Sequence, residues 1–139
     1  MKGVYLSLGT NLGDRRTFIQ EALDRLDAAI GRHYSAISEI IETEAVGFSG
    51  PSFLNCVVRY DTDCGPFALL DICKGIERSM GRTDAPEYDS SGKRIYHDRV
   101  IDIDILRFGN LVMDTQILTI PHRGLKDRAF FIDLMAQIS

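Results

Sequence analysis

The sequence has 139 residues, 26% of them charged, and a formal net charge of −4. That length suits one domain, 1–139, with a core of its own. The negative balance excludes a general electrostatic footprint for nucleic acid, and no apolar run approaches membrane-spanning length.

The N-terminus, "MKGVYLSLGTNLGD", reads as a first strand over Val4–Leu8 followed by a turn, not as a signal peptide. Asp14 or Asn11 is placed to cap the helix after that turn. Phe18, Ile19, Ala22, Leu23, Leu26 and Ile30 recur at helical spacing, and Gly31 supplies the stop. "YSAISEIIET" is β-like with imperfect alternation, and "VGFSGPS" is a Gly/Pro loop. "FLNCVVRYDT" is a strand of strong β propensity, with Cys56 in its core face. Pro66 opens a second helix that carries Leu69, Leu70, Cys73, Ile76 and Met80 on one face and ends at Gly81. From Arg82 to Asp98 no periodicity is visible, so a long loop is expected, of the kind that carries function. "VIDIDIL" is the next strand. "NLVMDTQILTIPHR" gives a turn with one or two short strands, and "LKDRAFFIDLMAQI" a turn and a short helix.

Two β-α-β halves joined by a hairpin predict an α+β sandwich of the ferredoxin-like type, with an antiparallel sheet in β-α-β-β-α-β order and extra short elements. Cys56, Cys64 and Cys73 are odd in number and form no Cys-x-x-Cys pair. They favour reduced thiols in a cytoplasmic protein over a disulfide framework or zinc site. Nothing in the sequence demands more than a monomer.

The strand "VIDIDIL" poses the chemical question. Ile101, Ile103 and Ile105 share one face, and Asp102 and Asp104 share the other. The carboxylates stand about 7 Å apart along the strand, from its rise per residue. Two like charges at that distance repel, unless a divalent cation such as Mg²⁺ gathers them together with phosphate oxygens. An exposed acidic face remains the alternative from this motif alone. Other polar residues stand where packing does not require them: Asn55 inside an apolar strand, His122 after Pro121, Arg128 in "DRAF", and Arg82 after a helix end. "SLGTNLGD" matches neither standard glycine-rich phosphate loop.

Taken in order, "SLGTNLGD", "ET" with "VG", "FLN", "IE…GR", "DRVIDIDIL" and "IPHRGLKDRAF" resemble the 6-hydroxymethyl-7,8-dihydropterin pyrophosphokinases of folate biosynthesis. The resemblance runs from Tyr5 to about Leu134. It implies transfer of a pyrophosphoryl group from ATP, the co-substrate, to the hydroxymethyl oxygen of a reduced pterin. It implies that Asp102 and Asp104 hold two Mg²⁺ ions. Phe53 and Phe130 match the aromatics that sandwich the pterin, and Asn55 matches the amide that reads its edge, beside Thr43 and Val46. Gly9 and Leu12 match the turn beside the pterin. Glu77, Arg99, Ile105, Thr119, His122 and Arg128 match positions around ATP, and Arg82 matches an arginine of the loop that closes on the nucleotide. Small molecules, not nucleic acid or membrane, are the implied partners.

The sequence departs from the family pattern in places. A second loop arginine, common two residues past the position of Arg82, is Asp84 here. "RIYHDR" stands where Arg-x-Gly-Pro-Arg is frequent, Ile117 replaces an arginine, and Arg123 replaces Tyr or Pro. Arg94, or else Lys93, is the candidate to supply the missing charge to the transferred phosphates, since a planar fork grips two oxygens at once. The rival reading is a pterin- or nucleotide-binding relative without turnover, which the missing arginine would suit. An Asp-x-Asp glycosyl- or nucleotidyltransferase would need a larger nucleotide domain.

Overall fold

The computed structural model describes residues 1–44, 51–81, 87–88, 90–91, 94–95, 100–125 and 128–139, with backbone alone at 87–88 and 94–95. The chain is α+β. Strand β1 (Lys2–Thr10) leads into helix α1 (Arg15–Ile30); β2 (Ala36–Ile37), β3 (Ile41–Thr43) and β4 (Phe53–Thr62) come next, then helix α2 (Pro66–Ser79). After β5 (Glu87–Tyr88) and β6 (Arg94–Ile95) come β7 (Asp102–Phe108), β8 (Met113–Asp114), β9 (Thr119–Ile120), a 3-10 turn at Arg123–Leu125 and helix α3 (Ala129–Ala136).

The main sheet runs β2-β4-β1-β7 with β3 also on β4, and each pairing is antiparallel. β2 and β3 share the outer edge of β4. Between them, Ser38 takes over the ladder: its amide donates to the Val57 carbonyl, and its hydroxyl accepts from the Val57 amide. That is the physical form of the imperfect alternation in "YSAISEIIET". β5 and β6 pair with each other, and so do β8 and β9. The β5–β6 pair lies inside the stretch expected as plain loop; strands of two residues are too short to show a period.

Alternation assigns the two faces. Val4, Leu6 and Leu8 of β1 pair with Tyr60, Val58 and Cys56 of β4, and all six are fully buried. With Ile103 and Ile105 of β7 they form one core beneath α1 and α2, which contribute Ile19, Leu23, Leu26, Leu69, Cys73 and Ile76. α1 is capped by Asp14, whose carboxylate accepts the Thr17 amide at 3.2 Å, and it ends at Gly31 with φ 86. The Asp14 bond holds its carboxyl below the usual range. Buried Tyr60 donates its hydroxyl to Asp27 at 2.6 Å, so its polar end is satisfied.

The second core is smaller and lies on the other face, where α3 packs Phe131, Leu134 and Met135 against Val57 and Leu106. Leu106 reaches it through a β-bulge: Leu6 pairs with Ile105, but Tyr5 pairs with Arg107. The extra residue restores Phe108 to the α1/α2 side. Gln137 and Glu39 fasten the end of α3 to the gap between β2 and β3, the Glu39 amide donating to Gln137 Oε1 at 2.9 Å and Gln137 Nε2 to Glu39 Oε1 at 3.1 Å.

Candidate active site

The candidate site residues of β1, β4 and β7 lie on the face of the sheet opposite α1 and α2. Gly9 and Ser7, small residues on central β1, form its floor. Gly9 pairs with Asn55 on one side and Asp102 on the other, and Ser7 pairs with Val57 and Asp104. Two interstrand spacings separate Asn55 from Asp102, about 10 Å. Asp102 and Asp104 share this face, as their alternation with the buried isoleucines requires, and both are half-buried. The strand begins at Asp102, two residues later than the apolar run suggests, although Ile101 is fully buried.

Gly9 has a steric reason to be glycine. A Cβ there would stand 2.8 Å from Asn55 Oδ1 and 3.7 Å from the Phe53 ring. Asn55 donates from Nδ2 to Thr43 Oγ1 at 2.6 Å. That bond orients the amide and leaves Oδ1 toward Gly9. Phe53, at the start of β4, and Phe130, in the first turn of α3, are half-buried aromatics on separate elements. The Phe130 ring rests 4.5 Å from that of Phe131.

His122 enters from the loop after β9. Its amide donates to the Leu106 carbonyl at 3.0 Å, which fixes the loop to β7. Its Nδ1 accepts the Gly124 amide at 2.9 Å, so a neutral ring carries its proton on Nε2. Nε2 lies 4.0 Å from Asp104 Oδ2. Burial pushes the imidazole toward its neutral form, the Arg128 charge adds to that, and Asp102 opposes it. A Cβ on Gly124 would meet the His122 ring at 3.0 Å. Thr119 donates to Asp114 Oδ1 at 3.1 Å, and exposed Arg128 lies 5.8 Å from the Phe131 ring centre.

Glu77 and Ile105 sit differently from the rest. Glu77, 1% exposed on α2, accepts the Ile103 amide on Oε2 at 2.8 Å, and Lys74 lies 3.5 Å from its other oxygen. It thus holds the backbone between the two aspartates from the edge of the strand. The Ile105 side chain is in the α1/α2 core, which leaves its backbone for any ligand contact. Arg82, Val46 and Arg99 lie outside the described residues, as do Lys93 and Asp84. Arg94 is described in backbone only, in β6.

Two residues near β3 and β4 make contacts that the sequence did not signal. Arg15 Nη1 donates to the Ser52 carbonyl at 2.8 Å and lies 2.8 Å from Glu42 Oε2. Asn11, instead of capping α1, donates Nδ2 to the Pro51 carbonyl at 3.2 Å. Among the described residues no group of three or more His, Cys, Asp or Glu is placed to hold a metal. Asp102 and Asp104, alternating on one face of β7, make a carboxylate pair of the kind that fits Mg²⁺, an ion that completes its shell with substrate phosphates and water.

A family model for 7,8-dihydro-6-hydroxymethylpterin-pyrophosphokinase matches residues 5–139. A 2-amino-4-hydroxy-6-hydroxymethyldihydropteridine pyrophosphokinase of Porphyromonas gingivalis is 41% identical over 129 residues, which is 91% of this chain and 84% of that protein. The enzyme of the same name from Bacillus subtilis is 33% identical over 135 residues, 96% of this chain and 76% of its own. The Folic acid synthesis protein fol1 of Schizosaccharomyces pombe is 36% identical over 139 residues; the match spans 99% of this chain but 18% of that larger protein.

Proposed function

The chain belongs to the 7,8-dihydro-6-hydroxymethylpterin-pyrophosphokinase family, and from that premise we propose that it transfers the pyrophosphoryl group of ATP to the hydroxymethyl oxygen of 6-hydroxymethyl-7,8-dihydropterin. The pterin oxygen bonds to the β-phosphorus, the bond from that phosphorus to the α-phosphate oxygen breaks, AMP leaves, and the hydroxyl proton is released. The observation that carries the reading is the row Asn55–Gly9–Asp102 across three neighbouring strands. The row puts a carboxamide and a carboxylate on the same face, one on either side of a glycine, which supports a pterin subsite next to a metal and phosphate subsite.

In this reading Asn55 and Thr43, with Val46, read the pterin edge, and Phe53 and Phe130 cover its faces, where flat rings gain burial and offset stacking. Asp102 and Asp104 hold two Mg²⁺ ions. Bound Mg²⁺ neutralises charge on the phosphates during transfer. Arg99, Thr119, His122, Arg128 and the backbone at Ile105 receive the nucleotide. Neutral His122, with its proton on Nε2, offers that N–H as a donor to the nucleotide on the Asp104 side. Glu77 fixes the strand between the aspartates. Arg82 and Arg94 supply cations from the loop, Arg94 in place of the arginine absent at Asp84. Positioning and electrostatics dominate such transfers.

The finer structural reading belongs with it. With β2 and β3 counted as one interrupted strand, the sheet order supports a ferredoxin-like sandwich. We read 1–139 as one pyrophosphokinase domain, monomeric and cytoplasmic; no helix among the described residues is long and apolar enough to cross a membrane. The similarity to named pyrophosphokinases does not favour the binding-only alternative. The test is to incubate the protein with Mg-ATP and the pterin. AMP and pterin diphosphate in equal amounts are expected; ADP in place of AMP, or neither product, overturns the reading.

A further inference from the structure

We propose that Arg15 is a positioning residue for the pterin pocket, holding the backbone that presents Phe53 and Asn55; the inference rests on the function proposed above. Three observations carry it. First, Arg15 occupies the first turn of α1, which contains no acidic residue, and Arg16 comes directly after it. Cations there oppose the helix dipole, so helix formation does not account for Arg15. Second, one guanidinium nitrogen bridges an acceptor just ahead of β4, the Ser52 carbonyl immediately before Phe53, and one on β3, Glu42 immediately before Thr43. Those neighbours, Phe53 and Thr43, are themselves paired across β3 and β4, and Thr43 carries the hydroxyl that orients Asn55. Third, Asn11, 2% exposed, holds the adjacent Pro51 carbonyl. The turn after β1, through Asn11, and the first residue of α1, Arg15, therefore grip consecutive carbonyls of the chain entering β4.

The Glu42 contact is partly exposed and contributes little by itself. The charge-assisted bond to the Ser52 carbonyl is the stronger one. Because a single nitrogen makes both contacts, an ammonium can reproduce them, and lysine is the conservative replacement.

The test compares wild type, Arg15→Met, which keeps the apolar stem, and Arg15→Lys. Arg15→Met should raise the pterin Kd about tenfold, because the backbone entering β4 must then be ordered when the pterin binds. Its nucleotide Kd should stay within about twofold and its Tm should fall by only a few degrees, and Arg15→Lys should recover most of the pterin affinity. Amide hydrogen exchange of the free protein supplies a readout that needs no pterin: Phe53 to Asn55 should exchange faster in Arg15→Met, while Val57 to Tyr60 should not. Unchanged pterin affinity and exchange in Arg15→Met overturn the inference, as does equal weakening of both ligands with a larger fall in Tm. Faster local exchange in a protein whose wild type binds no pterin keeps the clamp and overturns the proposed function instead.

Discussion

The two faces of the sheet are written by the same three strands, one residue out of phase. On the α1/α2 side β1 presents Val4, Leu6 and Leu8; on the other it presents Tyr5, Ser7 and Gly9. The first face is dry and filled. The second is small and polar where Asn55, Asp102 and Asp104 flank β1, and α3 closes only the part around Val57 and Leu106. Stability and chemistry are thereby separated without being placed on different elements, so adjacent residues should fail in different ways.

The largest effect is expected on the open face. Asp102→Ala and Asp104→Ala should each lower AMP formation by about a thousandfold or more, the scale of losing charge stabilisation at a transferred group, with Tm nearly unchanged. Near wild-type turnover of either variant at saturating Mg²⁺ breaks the comparison. The counterpart is Leu8→Ala, which should cost about 2–5 kcal/mol of folding stability in denaturant titrations while sparing pterin affinity below the melt. One residue further, Gly9→Ala should do the reverse. Its Cβ would press on Asn55 Oδ1, and pterin binding measured by calorimetry should weaken about tenfold, the cost of a displaced buried hydrogen bond, with a smaller change in stability.

The smallest effect separates the faces by pH. Burial pushes the Cys56 thiol from 9.0 up to about 12. Burial likewise raises the Cys73 thiol, with Glu77's charge adding to it, and raises the Tyr60 hydroxyl, helped by its bond to Asp27. Each group is neutral when protonated, and the folded chain holds that proton more tightly than the unfolded one. The stability is full below the unfolded value and lost as pH climbs from 9.0 toward about 12. Tm should fall across that window, and Cys56→Ala should flatten the slope. A Tm independent of pH there would remove the dry face as the alkaline weak point.

Much of this was legible in the sequence, for a definite reason. α1, α2 and β4 carry strong periods or propensities with clear stops at Gly31 and Gly81, and their bounds come from those signals. The sides taken by Asp102 and Asp104 follow from alternation alone. What was hidden depends on tertiary contacts. The bulge at Leu106 shows only when β7 is set against β1. The β5–β6 pair is too short to have a period. Glu77, matched from sequence to a position around ATP, shows its bond to the Ile103 amide only once α2 is packed on β7. Arg15 reads as an ordinary surface cation because its partners lie 27 and 37 positions away. Among the site residues, those set by strand alternation could be placed from sequence, whereas their supports could not.

β7 is the rim of the main sheet, and a rim strand offers its backbone to any extended chain that drifts past. Here the Ile103 amide is held by Glu77 and the Leu106 carbonyl by the His122 amide. The contacts that steady the aspartates also occupy the rungs on which a foreign strand would register. Colloidal behaviour is thus tied to the active site: loosening Glu77 or the His122 loop should favour aggregation of the folded protein at high concentration, before any loss of its core.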